Sequence, residues 1–240
     1  VTIILITHKL KEIMSITDTV SVMRGGRVVA DFSTEKTSPE ELAENMVGRK
    51  VLLSIKKPTL KVGKPVLEVK NVSQESKDGV LVLKNISFDL KEGEILGIAG
   101  VAGNGQSELL DILSGIETLQ RGQITVNDKT ILPFQDWNSK KAREFGVAHV
   151  PEDRHKRGLV LPFHNYENSI LGYHRNEDYS SGFLMDKRKI LNFVDDLVEN
   201  FDVRPRSSSI SSGKLSGGNQ QKLVLAREIE SNPNILLVGQ

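Results

Sequence analysis

Cysteine is absent from the 240 residues, which excludes disulfides and thiolate metal sites within the chain and suits a reducing compartment without requiring one. Charge of one sign is absent too. Thirty-two basic residues stand against thirty-one acidic ones, and no basic run is long enough to lay a stripe for nucleic acid. No apolar run approaches the roughly 20 residues of a membrane-spanning helix, and the first residues carry no charged-then-apolar signal pattern. If a membrane is involved, another subunit is expected to span it. What remains is an ordinary globular composition, with 38% hydrophobic residues, enough to bury a sizeable core.

The chain reads as a piece of something longer. Val1-Thr2-Ile3-Ile4-Leu5-Ile6 is a β-branched run expected to form a strand buried on both faces of a parallel sheet, with unpaired edges or a foreign partner. Apolar residues at helical spacing follow in Thr7–Ile13. Two short β-rich runs, Thr19–Met23 and Arg27–Ala30, flank Arg24-Gly25-Gly26 and predict a hairpin. Ser38-Pro39-Glu40-Glu41 predicts a helix start, with an end near Gly48. Residues 1–50 lack the bulk for a full core and are expected to be the C-terminal part of a domain. Residues 51–65, rich in Lys, Pro and Gly, are expected to be an extended linker.

A second unit is expected over 66–240. Val66–Val69, Val80–Leu83 and Ile86–Leu90 alternate like strands of a half-exposed antiparallel sheet, and Ile95–Ala99 reads as a buried strand. The glycine-rich stretch Gly100-Val101-Ala102-Gly103-Asn104-Gly105-Gln106-Ser107-Glu108 follows, with the spacing of the phosphate-binding loop G-x-x-x-x-G-K-S/T between a strand and a helix at 109–113. The same spacing also suits a glycine turn for close strand and helix packing. As a phosphate loop it presents backbone N–H groups and the Ser107 hydroxyl for Mg²⁺, but Gln106 replaces the lysine. Loss of a charge-assisted contact is worth about 1.5–3 kcal/mol, roughly one to two decades in affinity. Further on, a strand at 145–150 opens onto the charged loop Pro151–Gly158, amphipathic helix spacing covers 188–201, and Pro233–Val238 is an apolar strand.

Residues 215–222 read Leu-Ser-Gly-Gly-Asn-Gln-Gln-Lys, a glycine-paired turn running into an apolar-periodic helix at 221–229. Ser216 supplies a cap, and Gly217 and Gly218 let backbone N–H groups approach an anion at a positive helix end. This string resembles the signature motif of ABC ATPases, in the form found in sugar and nucleoside importers. The resemblance covers almost the whole chain and implies a role for each motif. Leu215, Ser216, Gly217, Gly218, Asn219 and Gln220 would be the signature, and Gly100, Gly103, Asn104, Gly105, Gln106, Ser107 and Glu108 a degenerate nucleotide-binding loop, with Ser107 a weak metal ligand. Glu152, in Pro-Glu-Asp-Arg, would stand at the place of the Q-loop glutamine. Gly239 and Gln240 would close the Walker B strand, where the family places Asp and Glu. His8, in Ile-Thr-His-Lys-Leu, would be the switch histidine of a first nucleotide-binding domain and the catalytic residue of this fragment. No aromatic falls between Val72 and Leu83, where the family often stacks adenine.

What the resemblance implies is an α/β P-loop NTPase fold with an antiparallel β subdomain and a helical signature subdomain. The function would be an ATP-hydrolysing importer subunit with tandem domains, using ATP and Mg²⁺. Its partners would be two permease subunits and an extracytoplasmic substrate-binding lipoprotein, at the cytoplasmic face of the plasma membrane, without nucleic acid. Gln106, Gly239 and Gln240 together predict that the second domain does not hydrolyse ATP at its own loop and donates its signature to the first domain's site. The isolated fragment is therefore expected to be inactive. Two other classes compete. A tandem ABC protein of translation would carry a long charged helical linker, and one of DNA repair a long coiled coil, yet 49–65 is short and proline-bearing and 107–215 shows no sustained heptads. A purely regulatory nucleotide-binding module is the third reading.

Overall fold

The computed structural model describes residues 1–50, 61–181 and 184–239, and the chain divides into two compact units at Thr59/Leu60. The first unit is small. Leu10–Ile16 forms α1, Thr19–Arg24 and Arg27–Ser33 form β1 and β2, and Pro39–Val47 forms α2. β1 and β2 pair antiparallel around Gly25 and Gly26, whose φ angles of 58° and 78° give the left-handed pair that a two-residue hairpin loop demands. α2 starts where its sequence says it should. The Ser38 hydroxyl accepts the Glu41 N–H at 3.2 Å, Pro39 fills the first helical position, and Gly48 ends the helix in a left-handed conformation. Ile13, Val22 and Leu42 make the core.

The second unit has two cores. Pro65–Glu75 (β3) and Leu81–Lys91 (β4) pair antiparallel, then Gln106–Leu113 forms α3 and Arg121–Val126 and Lys129–Ile131 form β5 and β6. The sheet order is β4-β3-β5-β6, antiparallel throughout. Alternate residues Leu67, Val69, Ile124 and Val126 point inward, where they meet Ile112 and Leu113 of α3. Trp137 is buried among them, and its indole N–H donates to the Ile112 carbonyl at 2.7 Å. Ser139–Glu144 (α4) then leads into Val147–Val150 (β7).

The second core is helical. A π-helical turn at Arg154–Gly158 and the short helix Asn165–Ser169 (α5) precede a two-residue strand pair, Ser180–Ser181 (β8) and Leu184–Met185 (β9). Lys187–Asn200 (α6) and Gly217–Glu230 (α7) complete it, with Ile190, Val194, Leu223 and Val224 packed between them. Ile235–Val238 (β10) returns to lie parallel to β7, with Ile235 opposite Val147 and Val238 opposite Val150. The antiparallel and helical subdomains of the expected α/β fold are therefore both present.

Two expected strands are not formed. Val1, Ile3, Ile4 and Ile6 are each 80% exposed or more, and residues 1–6 join no ladder. Likewise Ile95–Ala99 has no strand partner, and Ile95 is 78% exposed. The reason is the same in both. A β-branched run has strand propensity, but a strand exists only when another backbone accepts its N–H and C=O groups. Among the described residues β10 pairs with β7 alone, and neither run has a partner backbone in its own unit. Smaller differences concern boundaries. α3 begins at Gln106 rather than 109, and α7 at Gly217 rather than 221, because the glycines of both motifs enter the first helical turn or its cap. No helix of the described residues is long and apolar enough to cross a membrane.

Candidate functional site

The glycine loop is shaped by two residues in left-handed conformations. Gly103 and Gly105 have φ angles of 89° and 98°, which L side chains rarely adopt. A Cβ on Gly105 would also meet Leu83 Cδ2 at 2.7 Å and Val82 O at 2.9 Å. Gly105 is the cap of α3, so the first N–H groups of that helix have no intrahelical acceptor and mark its positive end. Gln106 does not extend from the loop. Its Nε2 donates back to the Val101 carbonyl at 3.3 Å and the side chain packs on Gly100. The loop therefore offers amide hydrogens and no formal positive charge from residues 100–108, while Glu108 adds an acid.

Across from it, the segment after β7 supplies the charges. Ser107 Oγ donates to Glu152 Oε2 at 2.8 Å, joining the loop hydroxyl to the carboxylate two residues beyond the strand. Behind that pair Arg157 Nη1 donates to Asp111 Oδ1 of α3, and the buried carboxylate raises the guanidinium further. Asp153 Oδ1 accepts the His155 and Lys156 N–H groups at 2.9 and 3.1 Å, and the Lys156 amide in particular holds its carboxyl below the ordinary value. His149 is pushed below its ordinary value by burial, which leaves the imidazole neutral at pH 7. These groups line a cavity of about 220 Å³ reached by Ser107, Glu152, Lys156 and Arg157. A larger cavity of about 440 Å³, lined by Asn127, Lys129, Arg143 and Asn234 among others, contains none of the sequence motifs. Sequence reasoning missed Asp111 and Arg157. They lie 46 positions apart, and neither carries a local pattern.

The signature turn belongs to the other core. Ser216 caps α7, its Oγ accepting the Asn219 N–H at 3.4 Å and the Asn219 side-chain amide at 2.9 Å. Asn219 Oδ1 in turn accepts the Arg204 N–H at 2.8 Å. Leu215 anchors the turn from below, 5% exposed in the helical core. The two glycines differ. A Cβ on Gly217 would meet Arg154 Nη2 at 2.7 Å, whereas one on Gly218 would meet nothing within 4 Å among the described residues. Gly217 is thus small for its own chain, and Gly218 leaves open surface at the helix end.

Gln220 is buried and uses both ends of its amide. Its Oε1 accepts from Arg154 Nε at 3.2 Å and His155 Nε2 at 2.8 Å, and its Nε2 donates to the Ser212 carbonyl at 3.1 Å. It ties the turn after Glu152 to the signature helix. We expect Gln220→Ala to lower stability by about 1–3 kcal/mol, because three polar groups lose a partner. Urea unfolding checks this, and a loss below about 0.5 kcal/mol would show that the link is immaterial.

The remaining predicted residues are placed as follows. His8 is exposed, just ahead of α1 in the first unit. Gly239 is buried, and its N–H donates to the Val150 carbonyl at 2.9 Å, continuing the β7–β10 register. Gln240 lies outside the described residues. Among the described residues no cluster of three or more His, Asp or Glu side chains could hold a metal by itself. Ser107 and Glu152 still fit a hard cation, since Mg²⁺ in nucleotide sites takes one or two protein oxygens and completes its shell with phosphates and water.

Residues 83–238 match the ABC transporter family. The chain is 40% identical, over 99% of its length, to a nucleoside import ATP-binding protein of Lactococcus lactis subsp. cremoris (strain MG1363), of which it covers 46%. It is 39% identical to a glucose import ATP-binding protein of Haloferax volcanii, over 100% of this chain and 44% of that protein. The chain thus spans a little under half the length of these relatives. A dimeric ATP-binding cassette in a post-hydrolysis state, bound to ADP and Pi, has the same fold at a TM-score of 0.60 and 23% identity, with 72% of this chain and 73% of that one covered. The matched residues run from within β4 to the end of β10 and include the glycine loop at the head of α3 and the capped turn at the head of α7, and the chain belongs to the ABC transporter family, with its P-loop ATPase fold.

Proposed function

We propose that this chain is the middle of an ATP-binding subunit of an importer for nucleosides or simple sugars, covering the end of a first nucleotide-binding domain and most of a second. ATP and Mg²⁺ are its cofactors. Two permeases and an extracytoplasmic binding lipoprotein are its partners, and it works at the cytoplasmic face of the plasma membrane. In this reading His8 faces the γ-phosphate on the first domain's loop, and Ser216, Gly217 and Gly218 close over the same nucleotide. Gly100–Ser107, Glu152 and Gln240 line the impaired second site. Catalysis at the competent site is phosphoryl transfer to water, driven by positioning and electrostatic stabilisation.

The observation that carries the reading is a contrast between two helix ends. The turn at 215–220 is capped and open at Gly218, whereas in the loop at 100–107 the residue in the lysine position is folded onto the Val101 carbonyl. The names of the relatives support the importer class. The test is ATP turnover by the 240-residue chain beside that of the full-length protein. The expected result is turnover by the full-length protein and none by the chain. Turnover by the purified chain that Gln106→Ala abolishes would overturn it.

A further inference from the structure

The cavity of about 440 Å³ lies at the opposite end of the β7–β10 pair from the glycine loop. Its walls include Gly146 and Val147, where β7 begins, and Asn234, just ahead of β10. Glu152 and Gly239 follow the other ends of the same strands, about 10 Å away for strands of this length. Two cations line the cavity, and neither is neutralised. Lys129 Nζ lies 4.3 Å from the centroid of the Phe145 ring, and Arg143 Cζ 5.2 Å from that of Tyr173. Among the described residues no carboxylate pairs with either, whereas Arg157 and Arg227 pair with Asp111 and Glu228. The one acid of the lining, Glu144, is exposed and turned to Lys140, 3.6 Å away.

Two glycines make room for this lining. Arg143 fills the space where a Cβ on Gly172 would stand, 2.8 Å from its Nη2, and a Cβ on Gly146 would collide with Asn234 Oδ1. The remaining wall is rich in carboxamides, from Asn127, Asn232 and Asn234, of which Asn127 gives its side-chain N–H to the Phe145 carbonyl at 2.7 Å. We infer that this cavity is a binding site for a phosphorylated sugar, with the phosphate on Lys129 and Arg143 and the sugar hydroxyls on the three asparagines. A cation lying over an aromatic ring keeps its full charge, and a guanidinium beside an ammonium is the donor set that a phosphate takes. Carboxamides both donate and accept, as hydroxyls do. The volume falls in the range of about 300–1,000 Å³ that small-molecule sites occupy. A nucleotide fits less well. Phe145 and Tyr173 already lie under the two cations, and Phe145 also packs on Trp137 at 5.6 Å, so both rings of the wall are engaged before a base could stack on them.

Calorimetric titration of the full-length protein tests this, with the nucleotide sites first filled by a saturating non-hydrolysable ATP analogue. The analogue's own binding heat reports separately on the ATP-binding reading. Ribose 5-phosphate is expected to bind and ribose is not. Inorganic phosphate and AMP should bind more weakly by about tenfold or more, the first for want of hydroxyls and the second because its base has no place. Lys129→Gln, at an exposed side chain whose loss leaves the core untouched, should weaken ribose 5-phosphate by about tenfold or more. Arg143→Lys keeps the charge and loses the fork, and should fall between that variant and the wild type. Lys84→Gln, at an exposed position of β4 outside the cavity, should change nothing. Absence of binding overturns the inference, as does an affinity that Lys129→Gln leaves unchanged. Binding seen only when the ATP analogue is left out overturns it too, because the ligand would then be in the nucleotide sites. Inorganic phosphate held as tightly as ribose 5-phosphate overturns the sugar assignment, and AMP held more tightly would make the ligand a nucleotide.

Discussion

Glu228→Ala is expected to lower the unfolding free energy by about 3–5 kcal/mol, the range for breaking a buried charge pair by removing one partner. Glu228 is 0% exposed, and accepts from Arg227 Nε at 2.8 Å and from the Tyr173 hydroxyl at 2.6 Å. Arg227 is 5% exposed and also donates to the Gly158 and Asn168 carbonyls at 2.9 and 3.1 Å. Without Glu228 the guanidinium would remain buried, bonded to dipoles but with no opposing charge. A loss of this size is a large part of the total stability of about 5–15 kcal/mol for an ordinary domain. Denaturant unfolding measures it, and a change below about 1 kcal/mol would mean that water or rearrangement replaces the carboxylate.

A titration separates the electrostatic part from lost packing. Burial first, and then the Glu228 charge and hydrogen bond, push the Tyr173 hydroxyl up to about 12. The folded state thus favours the neutral phenol. Its contribution to stability is complete below the unfolded value of 10 and disappears as pH rises from 10 through about 12. In Glu228→Ala the burial contribution persists, opposed by the Ser231 hydrogen bond and the Arg143 charge, so tyrosinate absorbance should appear at lower pH than in the wild type. Glu228→Gln keeps an acceptor and removes the charge, and should fall between the two.

The largest functional effect is expected at Ser216. In the full-length protein, Ser216→Arg should abolish turnover while ATP binding to the phosphate loops persists. Ser216 is exposed at the cap of α7, so the fold loses little more than a cap, worth about 1 kcal/mol. The helix keeps its buried face through Leu223, Val224 and Arg227. What changes is the surface in front of the turn, where a bulky cation replaces a hydroxyl. Ser216→Ala serves as the control, since it removes the same cap and adds no bulk. Turnover at the wild-type rate in Ser216→Arg would refute the assignment of this turn to a shared catalytic site.

Local chemistry made much of this structure readable. The hairpin at Gly25-Gly26 and the start of α2 at Ser38-Pro39 depend on neighbours in sequence, and both are found where the residue types place them. The same holds for the cap of α7, because Ser216 bonds within its own first turn. What was not readable depends on residues far apart. Ile95–Ala99 has the composition of a buried strand, but composition says nothing of whether a partner backbone lies alongside. The Ser107–Glu152 and Asp111–Arg157 contacts span 45 and 46 positions and follow only from the approach of α3 to the end of β7. Gln106 was legible as the loss of a charge. That its amide would turn back onto Val101 was not, since a rotamer is set by the space around it.

The open surface at Gly218 has a practical side. A chain with no cysteine is a blank background for thiol chemistry, and position 218 can take a Cβ with nothing among the described residues within 4 Å to displace. Gly218→Cys would therefore place one addressable sulfur at the mouth of the signature turn. A spin label or fluorophore attached there would watch that turn from the outside and report whatever comes to lie against it.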